Sequence, residues 1–368
     1  MKFKPMRPRR AYRLKLVSAA LVPLVFVACT APHEDPIADE RIEVKVVVVT
    51  MFERGAARGD VPGELQLWLE RLNLDTEFDF PMGEDVLYMN DDGVMAIMTG
   101  GGIPNATASM MALGGDPRFD FTHSYWLIAG IAGGDPEDVS LGSAAWARYV
   151  VDGDLAYEID GREIPDDWPY GIIPLDAKRP TKDPAELNPE RRPSTISFDL
   201  NPGLVEWAFS ITRELDLGDG PGIASYRQAY DGHPAAQRPP FVTIGDSLSA
   251  STYWHGALLN EWANDWVPLY AGEDANFMTS AMEDSGTLTA MYRLARMQRL
   301  DTDRVLVLRT VSNYTMPPIG ESAVWSKAQP YPGDGMPSFE NAFIVGNTVV
   351  QAIVSDWTTY KHELPNSD

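Results

Sequence analysis

Three shortages bound this 368-residue chain: a single cysteine, few histidines and little positive charge. Cys29 stands alone, so no intramolecular disulfide can form. The five histidines are His33, His123, His233, His255 and His362, and none pairs at metal-ligand spacing. No metal site is expected from them. Lys and Arg number 30 against 53 Asp and Glu, for a net charge of −23. So acidic a surface repels phosphate backbones, which argues against a nucleic-acid partner, and it weakens bulk attraction for free phosphate. Nucleotide-type GxGxxG and Walker spacings are missing, as is the GxSxG of a serine hydrolase. "GDSLSAS" (245–251) offers Ser247, but His255 is its only near histidine, and no triad is expected.

Long apolar runs are also scarce. One lies at Leu16–Ala28, behind "MKFKPMRPRRAYRLK", which carries seven Lys/Arg and no acid. A basic segment followed by an apolar stretch too short to span a bilayer reads as a secretory signal over residues 1–28. Cys29 follows Ala28 directly, and "FVAC" resembles a bacterial lipobox with Phe26 where Leu is more usual. The resemblance implies cleavage before Cys29, a lipid on its thiol and, with Thr30 next, sorting to the outer membrane. The expected product is an exported envelope protein that meets membrane only through its anchor. Losing the leader takes the net charge to about −30. "TAPHEDPIADER" (30–41) is polar and contains proline, so residues 29–41 read as a tether.

The remainder alternates between two periods. "IEVKVVVVTM" (42–51) predicts a strand buried on both faces. "PGELQLWLERL" (62–72) has apolar residues at 65, 68, 69 and 72, the spacing of a helix. Strand, glycine turn and helix recur over 93–113, and 124–151 reads as strand, glycine loop, strand. A Pro-, Asp- and Arg-rich excursion covers 152–201. Asn201 and Pro202 then open a helix as N-cap and first residue. Further strands are predicted at 238–248, 275–281 and 304–313, with helices over 283–297 and 338–361. In the first of these helices 288, 291, 292 and 295 share a face. Alternating strands and helices joined by short turns indicate an α/β fold with a largely parallel sheet, as one domain over 42–361.

Four stretches carry chemistry-bearing residues. "MTGGGIPNA" (98–106) sets Gly101 and Gly102 before a helix, where free amides can meet a ligand or simply close a tight turn. "IAGIAGGDP" (128–136), with Gly130, is read as a second glycine loop at a strand end, where sites in open α/β sheets gather. "TSAMEDSGTL" (279–288) places Met282, Glu283 and Asp284 at a helix start; acids there complement the helix dipole or hold a ligand. "VLRTVSNYTMPP" (307–318) ends a buried strand in Ser312 and Asn313, whose amide can cap a turn or read the edge of a planar heterocycle.

The order of these pieces is distinctive: "TMFE", "TGGGIPNA", "AGIAGG", "GDS", "MED" and "LRTVSN". It resembles the nucleoside phosphorylase and hydrolase superfamily. The fuller "GDSLSASTYWHG", "MEDSGTL" and "RVLVLRTVSNYTMPP" look like the branch named purine nucleoside permease, from about Ile42 to Trp357. The resemblance implies a three-layer αβα sandwich around a mixed sheet with partly closed barrel character. It implies that Met282 packs under a ribose and that Glu283 bonds its hydroxyls. Ser312 and Asn313 would face the purine, with Gly130 and Asp246 beside it. Many relatives have Asp at the Asn313 position, where it protonates the departing base. An amide cannot do so, but it can hydrogen-bond a developing negative charge.

Phosphorylase loops hold phosphate with an Arg and a Ser where this chain has Ile128 and Ile131. Arg54 or Arg58 would have to compensate. In hydrolases a glutamate after the first strand activates water, and Glu53 lies near that place. The expectation is therefore hydrolysis of the N-glycosidic bond with Glu53 and Asn313 as catalytic residues, no cofactor, and phosphate as the alternative co-substrate. The competing expectation is a non-catalytic nucleoside-binding component of uptake that feeds a separate transporter. A homo-oligomer is a third partner the resemblance leaves open.

Overall fold

The computed structural model describes residues 41–366, which fall within one compact unit beginning at Arg41. The signal, the lipobox with Cys29, and the tether up to residue 40 lie outside the described residues.

The β-branched run after Lys45 forms β1 (Val46–Thr50), buried at every position. The strand predicted from residue 42 breaks at Val44–Lys45; Ile42–Glu43 pairs separately with Phe119–Asp120. Helix α1 (Gln66–Arg71) follows. Then come β2 (Val94–Met98), α2 (Ile103–Gly115) and β3 (Tyr125–Gly134). The glycines at 130, 133 and 134 are not a loop, as expected, but part of β3 itself. β4 (Ala144–Trp146) and β5 (Tyr149–Asp152) precede the irregular excursion. α3 (Pro202–Thr212) starts as predicted, with Asn201 Oδ1 accepting the Leu204 amide at 3.1 Å. β6 (Asp246–Ser249), α4 (Ala257–Ala271), β7 (Phe277–Ala281), α5 (Asp284–Arg296), β8 (Val305–Tyr314) and α6 (Met336–Ser355) complete the frame. In α5 the buried stripe includes Leu288, Met291 and Leu294, while Tyr292 faces solvent.

The sheet is mixed. β1 pairs in parallel with β2 and β3, and β8 with β3; β7 runs antiparallel to β3. On one edge β3 follows β1 over Tyr125–Ile128, then meets β7 at Gly133–Gly134. That change of partner curls the sheet toward a partial barrel. Helices cover both faces, as β8 makes plain. Arg309 reaches Asp284 at the head of α5, while the hydroxyl of the next residue, Thr310, donates to the Ser338 carbonyl of α6 at 2.9 Å. Successive strand residues point to opposite faces, so α5 and α6 form separate layers. This is the expected α/β three-layer sandwich.

Candidate functional site

A cavity of about 290 Å³ opens where the ends of β3, β7 and β8 converge, a size near the lower end of small-molecule clefts. Two carboxylates, Glu64 and Glu283, reach its lining, and one guanidinium, Arg309, packs behind them. Arg309 is 1% exposed, and no polar side chain of that size is buried without partners. Its Nε donates to Asp284 Oδ1 at 3.0 Å, Nη2 pairs with the same oxygen, and Nη1 donates to the Ile131 carbonyl at 3.2 Å. Nη2 also stands 3.5 Å from Glu283 Oε2.

Glu283 precedes α5 and turns back across the sheet. Its Oε1 accepts the Gly102 amide at 3.1 Å and its Oε2 the Met282 amide at 3.2 Å. Gly102 has φ 86°, a left-handed conformation that a side chain would strain, and this turns its N–H toward Glu283. Burial pushes the Glu283 carboxyl upward, and Arg309 pulls the other way. Met282 and Glu283 both line the cavity, and Gly101 lies alongside.

Glu64 is the acid that the sequence reading missed. It is 6% exposed and lines the cavity. Oε1 accepts the Ile131 amide at 2.8 Å, and Oε2 accepts the Met51 amide at 2.8 Å. Burial raises its pKa to about 8 against the attraction of Arg309, with Glu283 adding repulsion. Glu64 and Glu283 share one buried guanidinium, and burial disfavours ionising both. A signal existed: residue 64 is four before Trp68, on the apolar side of the α1 stripe, where a charged residue is out of place.

Glu53 is not in the cavity. Its Oε1 accepts the Arg54 amide at 2.8 Å and bonds the Gly63 amide; its Oε2 accepts the amides of Leu65 and Gln66 at 3.0 and 2.7 Å. It anchors the entry to α1. Arg54 is likewise taken: Nε and Nη2 donate to the Pro62 carbonyl, and Nη1 donates to the Asp334 carbonyl at 2.9 Å. Arg58 donates to the carbonyls of Leu69 and Leu74. No Lys, Arg or His is among the lining residues, so neither arginine rebuilds an anion clamp there. The Gly102 amide, expected to be free for an anion, belongs to Glu283, and the next, Ile103, donates to Ser251 Oγ at 3.1 Å.

At the far end, Asn313 and Ser312 both face the cavity. A strand would alternate them, but the register of β8 against β3 shifts between Val311 and Asn313. Asn313 Nδ2 donates to the Tyr253 hydroxyl at 3.0 Å, and the Ser312 hydroxyl bonds Asn313 Oδ1 at 3.2 Å. The Tyr331 hydroxyl donates to Ser312 Oγ at 2.6 Å. Although the Tyr331 side chain is partly exposed, desolvation lifts it to about 12, so it stays a neutral donor. Tyr253 and Tyr331 carried no clear sequence signal.

Two expected base contacts belong elsewhere. Asp246 is fully buried away from the cavity: Oδ1 accepts the amides of Arg148 and Tyr149 at 3.0 Å, and Oδ2 that of Asn276 at 2.8 Å. It ties strands together. Gly130 lies beneath the floor, where a Cβ would come within 2.5 Å of Arg309 Nη1 and Glu64 Oε1. It makes room for them and touches no ligand space. Ser247 donates to Asp284 Oδ2 at 2.8 Å while His255 Nδ1 stands at the Tyr314 carbonyl, so the two form no triad.

Comparison with known proteins gives three findings. The family model described as purine nucleoside permease matches residues 43–365. Curated relatives include a purine nucleoside permease of Candida albicans, 32% identical over 281 residues (75% of this chain, 68% of that one). A probable purine nucleoside permease of Schizosaccharomyces pombe is 29% identical over 364 residues, 94% of this chain and 98% of that one. Among solved structures, the 5'-methylthioadenosine/S-adenosylhomocysteine nucleosidase of Helicobacter pylori overlays with TM-score 0.49 at 14% identity, over 85% of this chain and 100% of that chain. The enzyme of the same name from Neisseria meningitidis gives 0.46 at 13%, over 84% and 99%. Among the described residues no helix is long and apolar enough to cross a membrane.

Proposed function

We propose, for a chain that belongs to the purine nucleoside permease family, that the cavity binds a purine nucleoside and splits its N-glycosidic bond with water. The observation that carries this reading is Glu64: a buried acid inside a cavity whose lining offers no cation to hold phosphate.

In this reading the ribose hydroxyls donate to Glu283, whose orientation is fixed by Gly102 and Arg309. A carboxylate suits two vicinal hydroxyls because it accepts from both. The base lies toward Ser312 and Asn313, beside the Tyr253 ring. Water attacks the anomeric carbon and passes a proton to Glu64. The carbon–nitrogen bond breaks, and its electron pair leaves with the purine. Asn313 hydrogen-bonds the charge that develops there, and solvent returns a proton to the base. The products are ribose and free purine. A pKa of about 8 leaves Glu64 protonated at neutral pH, so its basic form grows as pH rises.

One observation favours a second reading. Asn313 is an amide and supplies no acid to the leaving base, which suits capture without cleavage. The chain would then be the nucleoside-binding component of an uptake system, delivering to a separate transporter. In either case a lipid on Cys29, supported by "FVAC", would hold the site at a membrane surface; labelled fatty acid lost in Cys29→Ser tests that anchor.

The deciding assay incubates the purified chain with inosine, guanosine and adenosine, with and without phosphate, and measures free base by chromatography. Base released without phosphate supports hydrolysis. Release that requires phosphate overturns the water step. A melting shift with no base released moves the conclusion to the binding reading.

A further inference from the structure

Behind the base end of the cavity lies a second cleft of about 300 Å³. The two share Tyr253, Asn313 and Tyr331, so the partition between them consists of three side chains. It is held by the Asn313–Tyr253 bond at 3.0 Å and by a 3.4 Å contact from the Tyr331 hydroxyl to Asn313 Oδ1. Both tyrosines are surface residues, 52% and 44% exposed. Opening the partition costs two side-chain bonds, Tyr253 to Asn313 at 3.0 Å and Tyr331 to Ser312 at 2.6 Å, and no backbone bond of the sheet.

The second cleft has its own recognition chemistry. His255 Nδ1 stands 3.1 Å from the Tyr314 carbonyl. A carbonyl only accepts, so Nδ1 carries the hydrogen and the neutral ring keeps a lone pair on Nε2. That Nε2 is buried without a partner, so a donor reaches it once a side chain of the cleft wall shifts aside. Burial lowers the pKa of the ring, and the nearby Lys327 charge acts in the same direction. A buried acceptor with nothing to accept is costly and calls for a donor. Tyr226, Tyr253 and Tyr331 give the cleft aromatic walls suited to a short carbon chain. Lys327 stands 5.7 Å from the Tyr253 ring centre, which disfavours a cationic end group.

We propose that this cleft receives a substituent carried on the base of a purine nucleoside, a short chain ending in a hydroxyl that donates to His255 Nε2. The inference rests on the base lying at Asn313. It adds that the protein accepts nucleosides enlarged at the base edge and selects them by a remote hydroxyl.

The test is calorimetric binding to the full chain at about pH 6, where Glu64 is protonated and turnover is slow. The probes are adenosine, N6-butyladenosine and N6-hydroxybutyladenosine. The expected result is that the butyl compound binds no more weakly than adenosine and the hydroxylated one about tenfold more tightly, as one buried hydrogen bond provides. His255→Phe is expected to erase that tenfold gap while adenosine affinity holds. If adenosine binds and both enlarged nucleosides are rejected, or if the hydroxyl makes no difference in the wild type, the inference is overturned. If none of the three binds, the reading of the main cavity falls and takes this one with it.

Discussion

Glu64 and Ile131 are 67 residues apart in the chain, yet the carboxylate of one accepts the amide hydrogen of the other at 2.8 Å. That bond aims a buried acid into the cavity and separates its role from that of Glu53.

Glu64→Gln is expected to lower base release by about 100-fold or more, the usual scale for a lost general base, while nucleoside affinity stays within about threefold. Chromatographic turnover and calorimetric binding on one preparation check both halves. Equal loss in both would mean that Glu64 only shapes the cavity.

Glu53→Ala should behave differently. It leaves the Leu65 and Gln66 amides without their acceptor, and a cost of about 1–3 kcal/mol is expected. Urea unfolding should show a lower midpoint, and specific activity of the folded fraction should be retained.

Stability should fall as pH rises above about 5. Glu64 has a folded-state pKa of about 8, above the ordinary glutamate value of 4.5. The folded state therefore binds the proton more tightly, and its contribution is whole below the unfolded pKa and lost as pH climbs through 8. The slope is at most about 1.4 kcal/mol per pH unit for one group. Burial raises Glu283, Asp135, Asp152 and Asp246 in the same direction. Melting temperatures from pH 5 to 9 test this. If Glu64 is the base, activity should rise over the range in which stability declines.

Gly130→Ala should damage the floor without touching the ligand. Its Cβ would crowd Arg309 Nη1 and Glu64 Oε1. A loss of about 1–3 kcal/mol is expected, with weakened nucleoside binding. A variant that binds normally would show that the floor can yield.

Asn313→Asp would, in the proposed reading, put an acid beside the base and should speed release of adenine by roughly tenfold or more if departure of the base limits the rate. No gain, with binding intact, would favour the capture reading.

The frame was legible because periodicity is local: the strands at 46–50 and 305–314 and the helix at 202–212 follow from their own residues. Met282, Glu283, Ser312 and Asn313 came from motif order, and the cavity gathers all four. The sequence reading names Glu53 and passes over Glu64, because proximity to strand one does not say which acid faces inward. The partners that decide it, the amides of Met51 and Ile131, come from just past the end of β1 and from within β3. Arg309 was hidden in an apolar run, and Tyr331 sits in a connection with no periodic pattern. Asp246 and Arg54 looked available only because backbone acceptors and donors are invisible in a sequence.

The irregularity between Val311 and Asn313 carries a consequence for how such a site changes over time. From Arg309 to Asn313 a single strand runs beneath the whole cavity, roughly 13 Å at the usual rise. In the proposed reading, backbone thus sets the interval between the carboxylate cluster at the sugar end and Asn313 at the base end. Side chains at 312 and 313 can be exchanged without altering that interval, so under the proposed reading the base end could change while the sugar end stays fixed. Deleting one residue from that irregularity would turn the side chains beyond it to the opposite faces of the strand and, under the proposed reading, take the base contacts out of the cavity.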